Sequence, residues 1–363
     1  MTYHSNFNVK LPLGTPVIDQ FLGIKPPTQC QATYVWVDET GECLRAKTRT
    51  FDVVPKSIEG YPIWNYAHPD RVLDSDLYLH PRAVYQDPFL GPNARLIMCD
   101  TYTYEGKPTA TNYRHNCAKI MSSCAKEHPW FGMEQEYLIL DRDGYPLGWP
   151  KHGFPVLELI VVLVVKSLKR IIVQVYSLGS KLGGTNGGEL KEMKIESFVE
   201  VTPGQWEFQV GPCEGIDMGD QLWMARYLLH RVAEQFGVLI TLDPKPAVTL
   251  SGEWNGAGCH CNFSTQTMRE PNGLTAIEAA MSKLARFHTQ HLLHYDANNG
   301  MDNLRRLSGR CETSNPNKFT WGIADRGASV RIPRQGYLED RRPASNCDPY
   351  RVTACIADAI LLN

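Results

Sequence analysis

Hydrophobic and polar residues first alternate over residues 32–38, and a second extended run over 44–50 follows a turn at 39–41. A period of two indicates half-buried strands, because successive side chains of a strand point to opposite faces. The glycine in the short turn predicts that the two strands form a hairpin. We therefore predict a small sheet domain over residues 26–108.

Apolar positions recur at intervals of three and four over residues 111–127, 217–236 and 274–295, which predicts three helices. The last of these helices carries His288, His291 and His294. This spacing resembles a metal-binding stripe, but a solvated helix face is the interpretation we favour. Strands mixed with helices indicate an α+β catalytic domain after the small sheet domain.

Two carboxylates stand two residues apart, as Glu134 and Glu136, in a run over 131–137 that otherwise favours a strand. Their side chains point to the same face, roughly 6–7 Å apart. Half-buried like charges at that separation are costly unless a cation lies between them. The pair therefore indicates a hard divalent metal, with a solvated strand face as the alternative.

A second pair, Glu200 and Glu207, flanks the turn signal Pro203-Gly204. If this turn closes a hairpin, the two glutamates face each other at roughly 4.5–5.5 Å, where like charges again need compensation. Because this dipeptide suits a type II turn better than the tight hairpin turns, the register is a hypothesis.

His260 and Glu339 each offer one further ligand. Zinc is a poor interpretation of Cys259-His260-Cys261, because strand neighbours point to opposite faces and the sequence has no paired Cys-x2-Cys motif. Several carboxylates with one imidazole suit Mg²⁺ or Mn²⁺, hard ions that commonly bridge nucleotide phosphates.

Arginines crowd the last third of the chain and fit planar, bidentate recognition of carboxylate and phosphate oxygens. They are Arg305, Arg306, Arg326, Arg331, Arg334, Arg341 and Arg342. A nucleic-acid partner is not expected, since the net charge is −2 and no basic tract appears. Metal ligands with clustered arginines indicate ATP-dependent chemistry on an anionic substrate. The Walker-type phosphate loop does not occur, so the ATP site must be of another design.

Several motifs, taken in order, carry a resemblance to one family. They lie at 35–38, 44–50, 128–137, 205–209, 243–246, 255–260, 312–315 and 339–343. On these motifs the chain resembles the eukaryotic type of glutamine synthetase, the glutamate–ammonia ligases, across nearly its whole length.

The resemblance implies an α+β fold, with a small β-grasp-like N-terminal domain followed by a catalytic domain of mixed sheet and helices. The expected boundaries are 1–25 for an N-terminal extension, 26–108 for the first domain and 109–363 for the catalytic domain. It also implies that ATP phosphorylates glutamate and that ammonia displaces phosphate from the γ-glutamyl phosphate. A homo-oligomer of two stacked pentameric rings is expected, with each site shared between neighbouring subunits.

The resemblance also assigns roles to residues of this sequence. One metal site is expected at Glu134, His260 and Glu339, and the other at Glu136, Glu200 and Glu207. Substrate contacts are expected at Asn255, Gly256, Arg306 and Arg341. The residues expected to act in catalysis are Glu312, Arg326 and Arg331. Nucleotide neighbours are expected at Trp130, Ser264, Arg269 and Tyr337.

The sequence departs from the family pattern at Ala67, where the family has an aspartate that attracts ammonium, and at Cys311 and Asp325. Where the family has a Gly- and Tyr-rich loop followed by an amphipathic helix, residues 156–199 hold an apolar run and an unrelated segment. A loop or an insertion would explain this stretch, and an unspliced or mispredicted exon is the interpretation we favour. The alternative to an active ligase is therefore a catalytically impaired relative, kept as a structural or regulatory subunit. A ligase for a bulkier amine is a further variant.

The composition is that of an ordinary globular enzyme, with 363 residues, 43% hydrophobic and 21% charged. Eleven cysteines without repeated spacing predict reduced thiols and a cytoplasmic protein. The first 25 residues lack the Arg-rich pattern of a mitochondrial leader. The apolar run after residue 155 is too short for a membrane span, so we expect buried strand or core helix there and no membrane partner.

Overall fold

The computed structural model describes residues 28–68, 75–147, 205–246, 256–310, 312–334 and 336–363. These residues contain two mixed β-sheets. The predicted apolar run after residue 155 and the predicted turn at Pro203-Gly204 lie outside these residues. The proposed division of the chain at 108/109 stays a prediction.

The first sheet has five strands in the order β2-β1-β5-β4-β3. The strands are β1 (Cys30–Val37), β2 (Leu44–Phe51), β3 (Trp64–Ala67), β4 (Asp76–Gln86) and β5 (Arg95–Thr103). The predicted hairpin is confirmed, since β1 and β2 pair antiparallel from Val37 opposite Leu44 outward. β1 also pairs parallel with β5, which places β1 in the interior of the sheet.

The second sheet runs in the order β10-β11-β12-β9-β6-β7, with β8 pairing with β6. Its strands are β6 (Trp130–Leu140), β7 (Gln205–Glu214), β8 (Leu239–Thr241), β9 (Cys259–Ser264), β10 (Trp321–Ile323), β11 (Val330–Arg334) and β12 (Tyr337–Asp340). Apart from the parallel pair β10–β11, its strands pair antiparallel. Together with the helices, the two sheets confirm the predicted α+β class.

Several helices pack against the second sheet through a shared hydrophobic core. The described helices are α1 (Tyr113–Ser123), α2 (Asp217–Phe236), α3 (Gln266–Arg269), α4 (Leu274–Arg286), α5 (His288–Leu292), α6 (Met301–Arg306) and α7 (Pro349–Ala357). The main core cluster joins sheet residues such as Phe131 and Phe263 to helix residues such as Leu222 and Val352. Within the described residues, no helix has the length and apolar character needed to cross a bilayer.

Local signals account for the helix ends. The Asn112 side chain accepts a hydrogen bond from the His115 amide at the start of α1, and Asp348 does the same for Arg351 at the start of α7, where Pro349 occupies the first turn. α2 has the predicted bounds. Its C-terminal cap is Gly237, whose φ of 63° lies in the left-handed region.

The prediction of a solvated histidine face after α4 is wrong. The helix divides at Phe287, and His288 and His291 are only 7% and 3% exposed. Their Nδ1 atoms lie 3.1 and 3.3 Å from the guanidinium of Arg342, which forms a fully buried ion pair with Asp340. The histidines are buried because this ion pair needs hydrogen-bond partners that water would otherwise supply.

Acid should therefore destabilise the protein through His291. Burial, followed by the charge of Arg342, lowers the pKa of this histidine to about 3. In the unfolded chain a histidine titrates near 6.5, so between these two values the unfolded state binds more protons. The stabilisation is complete above about pH 6.5 and is lost as the pH falls toward the folded pKa.

We predict that His291→Asn makes this acid-side loss of stability shallower, because asparagine can accept from Arg342 but does not titrate. The measurement is the free energy of unfolding in urea as a function of pH for the parent and the variant. An equally steep fall in both proteins would contradict the prediction.

Candidate active site

One face of the second sheet carries five of the six predicted metal ligands. Glu134 and Glu136 lie on β6, with Glu136 directly opposite Glu207 of β7 and Glu134 directly opposite His260 of β9. On the far side of β9, Glu339 of β12 is paired with Asn262. Because side chains alternate along each strand, antiparallel pairing gathers residues that are distant in the sequence onto one surface.

Glu134, His260 and Glu339 form a compact group whose ligand atoms all lie within 4.8 Å of one another. His260 Nδ1 is 3.4 Å from a carboxylate oxygen of Glu134 and 3.5 Å from one of Glu339. Two carboxylates and one imidazole fit a hard divalent cation such as Mg²⁺ or Mn²⁺. Cys259 and Cys261 lie instead in the hydrophobic core.

Burial shifts the pKa values of Glu134 and His260 in opposite directions. It raises the pKa of Glu134, although the Asn262 amide and nearby arginines oppose the change. Burial, followed by the charge of Arg341, lowers the pKa of His260 well below its usual range. At neutral pH the imidazole is therefore uncharged, as a nitrogen that binds a metal must be.

Arginines border the same surface. Arg331 Nη1 lies 3.0 Å from one oxygen of Glu339, and Arg341 Nη1 lies 2.6 Å from the other. Arg306 is 3% exposed, and its guanidinium donates to the backbone oxygens of Arg341 and Arg342. Planar guanidinium groups at these positions can bind the oxygens of a carboxylate or a phosphate.

Two glycines make room for Arg306 at the edge of the pocket. A Cβ atom added to Gly256 would lie 2.6 Å from Arg306 Cγ and 2.7 Å from the Pro244 carbonyl oxygen. A Cβ atom added to Gly258 would lie 2.3 Å from Arg306 Nη2 and 2.9 Å from His260 Nε2. The motif at 255–260 is therefore glycine-rich because the backbone passes directly beside this side chain.

Glu312 lies at the mouth of the pocket. Its carboxylate is 3.6 Å from Arg326 and 3.8 Å from Arg341, and its φ of 58° is in the left-handed region. A non-glycine residue is rare in this conformation, which concentrates at functional sites. Both Glu312 and Arg326 are largely exposed to solvent, with side-chain exposures of 41% and 58%.

Three of the four residues predicted near the nucleotide, Trp130, Ser264 and Arg269, lie together. Trp130 pairs across the sheet with Ser264, and Arg269 donates to the hydroxyl oxygen of Ser264. The Arg269 guanidinium lies 4.0 Å from the centre of the Trp130 ring. Tyr337 begins β12, and its ring lies 5.7 Å from the Arg334 guanidinium.

The pocket thus collects most of the predicted site residues. It is lined by Glu134, Glu136, Glu207, Gln209, Gly256, His260, Arg306, Glu312, Thr313, Arg326, Arg331, Glu339 and Arg341. Glu200, Asn255 and Cys311 lie outside the described residues. Sequence reasoning missed Gln209 and Thr313 as lining residues. Gln209 had a usable signal, because it stands two residues after Glu207 on a strand and so shares its face.

Three of the clustered arginines lie elsewhere. Arg342 points to the back of the sheet, where it pairs with Asp340. Arg305 is largely exposed and pairs with Asp243 and Asp302. Arg334 is exposed at the end of β11.

The fold and the site together define an α+β enzyme with a carboxylate-rich, arginine-bordered pocket. The model of the glutamine synthetase catalytic domain matches residues 185–362. A probable glutamine synthetase of Caenorhabditis elegans is 58% identical over 99% of both chains. Glutamine synthetase 2 cytoplasmic of Drosophila melanogaster is 49% identical over 96% of this chain and 95% of that protein.

A solved structure described as apo GmaS without ligand superimposes with a TM-score of 0.67 at 21% identity, covering 96% of this chain and 80% of that one. This likeness concerns the fold alone. The sequence matches also establish the family, and the chain belongs to the glutamine synthetase family.

We predict that Gly258→Ala disrupts the pocket, because the new methyl group displaces the Arg306 guanidinium from its backbone partners. A misplacement of about 1 Å can cost on the order of 10²-fold in activity. The measurement is kcat/KM for glutamate in glutamine formation.

Gly132→Ala is the matched control on β6. Its added Cβ would meet nothing closer than 3.6 Å, which is ordinary van der Waals contact. Equal activities of the two variants would show that the close approach of Arg306 to Gly258 is unimportant.

Proposed function

We propose that the pocket carries out ATP-dependent ligation of ammonia to glutamate by way of γ-glutamyl phosphate, and that its residues divide this reaction among them. ATP-dependent glutamine synthesis is the activity of the family to which the chain belongs. The observation that carries the assignment of roles is the single pocket in which carboxylates, an imidazole and arginines converge. Nothing among the comparisons favours the alternative of an impaired subunit.

The chemistry requires that a carboxylate become an acyl donor. Making phosphate the leaving group divides one difficult step into two easier ones. Glu134, His260 and Glu339 would hold one divalent cation, Mg²⁺ or Mn²⁺, and Glu136, Glu207 and Glu200 the other. Such cations neutralise the charge of nucleotide phosphates during transfer. The donor set fits this role because it offers several hard oxygens and only one nitrogen.

The arginines bind and orient the anionic groups. Arg306 and Arg341, with Asn255 and Gly256, would bind glutamate, and Arg326 and Arg331 would contact the phosphoryl group during transfer. Arg331 and Arg341 both pair with Glu339, so the substrate side and the cation side of the pocket share one carboxylate. Preorganised guanidinium groups stabilise developing negative charge with little reorganisation.

Glu312 is proposed to close the pocket and to take a proton from the adduct of ammonia with the acyl phosphate. Its position at the mouth, beside Arg326 and Arg341, supports this role. Closure would exclude the water that hydrolyses an acyl phosphate. Trp130, Ser264, Arg269 and Tyr337 are proposed to bind the nucleotide, with the flat Trp130 ring beside the base.

Three further properties are proposed from the family alone. The division into a 26–108 domain and a 109–363 domain would let one subunit supply part of its neighbour's site. Two stacked pentameric rings are the proposed assembly. A cytoplasmic location is proposed, as in the name of the Drosophila relative.

The experiment that tests the function measures phosphate release from ATP by the full-length protein with Mg²⁺ or Mn²⁺, with and without glutamate and ammonium. We expect release that requires glutamate and a product that is glutamine. Phosphate release without formation of glutamine would indicate that the site transfers phosphate but does not capture ammonia. This outcome is expected if Ala67 weakens ammonium binding.

We predict that Glu312→Gln lowers kcat for glutamine formation by about 10²–10⁴-fold, the range expected for loss of a proton acceptor. KM for ATP should remain unchanged, because Glu312 is not among the proposed nucleotide neighbours. Glu270→Gln, at an exposed glutamate just after α3, is the control and should retain full activity. A kcat unchanged in Glu312→Gln would remove the residue from the mechanism.

A further inference from the structure

Amide side chains stand between the acidic residues on the metal-binding face of the sheet. β7 presents Gln205, Glu207 and Gln209 at alternate positions. β9 presents His260 and Asn262 in the same way, next to the carboxylates of β6. Since residues two apart on a strand share a face, each amide lies beside a proposed ligand on its own strand and near another on the adjacent strand.

Each of these amides donates a hydrogen bond to a different carboxylate. Asn262 Nδ2 lies 2.8 Å from Glu134 Oε1, and Gln205 Nε2 lies 2.8 Å from Glu136 Oε2. Gln209 Nε2 lies 3.1 Å from Glu207 Oε1. The pairing is therefore one amide to one carboxylate for Glu134 and Glu136 of β6 and Glu207 of β7.

Glu136 shows how firmly such a carboxylate is held. Its Oε2 accepts from Gln205 and also from the Gly258 amide at 2.6 Å. Gln205 is itself fully buried, and its Nε2 also lies 3.4 Å from the Gly256 carbonyl oxygen. One oxygen of Glu136 is thus fixed to the backbone segment that passes Arg306.

Glu339 differs from these three carboxylates, because both of its oxygens pair with guanidinium groups. An arginine brings a positive charge to the carboxylate that it holds, whereas an amide is neutral and brings none. The amides therefore orient three carboxylates without bringing any positive charge of their own.

We propose that Gln205, Gln209 and Asn262 are positioning residues of the metal centre, each of which fixes one ligand carboxylate without neutralising it. The inference rests on the proposed function, since it assumes that these carboxylates bind a divalent cation. Hydrogen-bonding partners of metal ligands commonly contribute 10–100-fold to metal affinity.

The test is Mn²⁺ binding to the full-length protein, followed by the electron paramagnetic resonance signal of free Mn²⁺. Gln209→Met and Asn262→Leu preserve side-chain size but cannot donate a hydrogen bond. We expect each variant to bind Mn²⁺ about 10–100-fold more weakly than the parent. The melting temperature of each variant without metal should stay at the parent value, because these residues orient ligands rather than support the core.

Gln86→Met is the matched control, since Gln86 is also half-buried but its amide donates to the backbone oxygens of Asp87, Gly91 and Ala94. It should bind Mn²⁺ as the parent does. Parent-like Mn²⁺ affinity in both test variants would overturn the inference and leave the proposed function intact. Weaker binding that is matched by a lower melting temperature would also overturn it. A parent protein that does not bind Mn²⁺ would overturn the proposed metal centre itself.

Discussion

The concentration of negative charge on one face of the second sheet is the constraint that the rest of the site must satisfy. Glu136 and Glu207 are direct cross-strand neighbours, and Glu134 stands two residues from Glu136 on the same face. Half-buried carboxylates this close together are unfavourable without compensation. Guanidinium groups around Glu339 supply compensating positive charge, whereas the amide donors on β7 and β9 orient the carboxylates.

Hydrogen bonds on the opposite face of the same strands keep the ligand-bearing segments in register. Gln135 lies between Glu134 and Glu136 but points to the back, where its Oε1 accepts from the fully buried Arg226. Arg226 also donates to backbone oxygens of Ser345 and Cys347, a few residues after Arg342. Polar pairs behind the sheet therefore fix strands whose front faces carry the chemistry, and packing and function are coupled through strand alternation.

Local sequence patterns were sufficient to predict elements that follow from a regular spacing of apolar residues. The hairpin β1–β2 and the helix α2 follow from alternation and from apolar spacing, and their bounds agree with the structure. The helical pattern over 274–295 did not reveal the break at Phe287 or the burial of His288 and His291. The burial of the two histidines depends on the ion pair Asp340–Arg342, which comes from a distant part of the chain.

For the site, the sequence by itself determined the ligand types and the shared face of Glu134 and Glu136, because strand periodicity is a local property. The family motifs extended that assignment to residues far apart in the chain. Only the tertiary structure decided that β9 lies between β6 and β12 and that the arginines divide between pocket, surface and back of the sheet. Strand order and hydrogen-bond partners depend on contacts between distant segments, which no single stretch of sequence encodes.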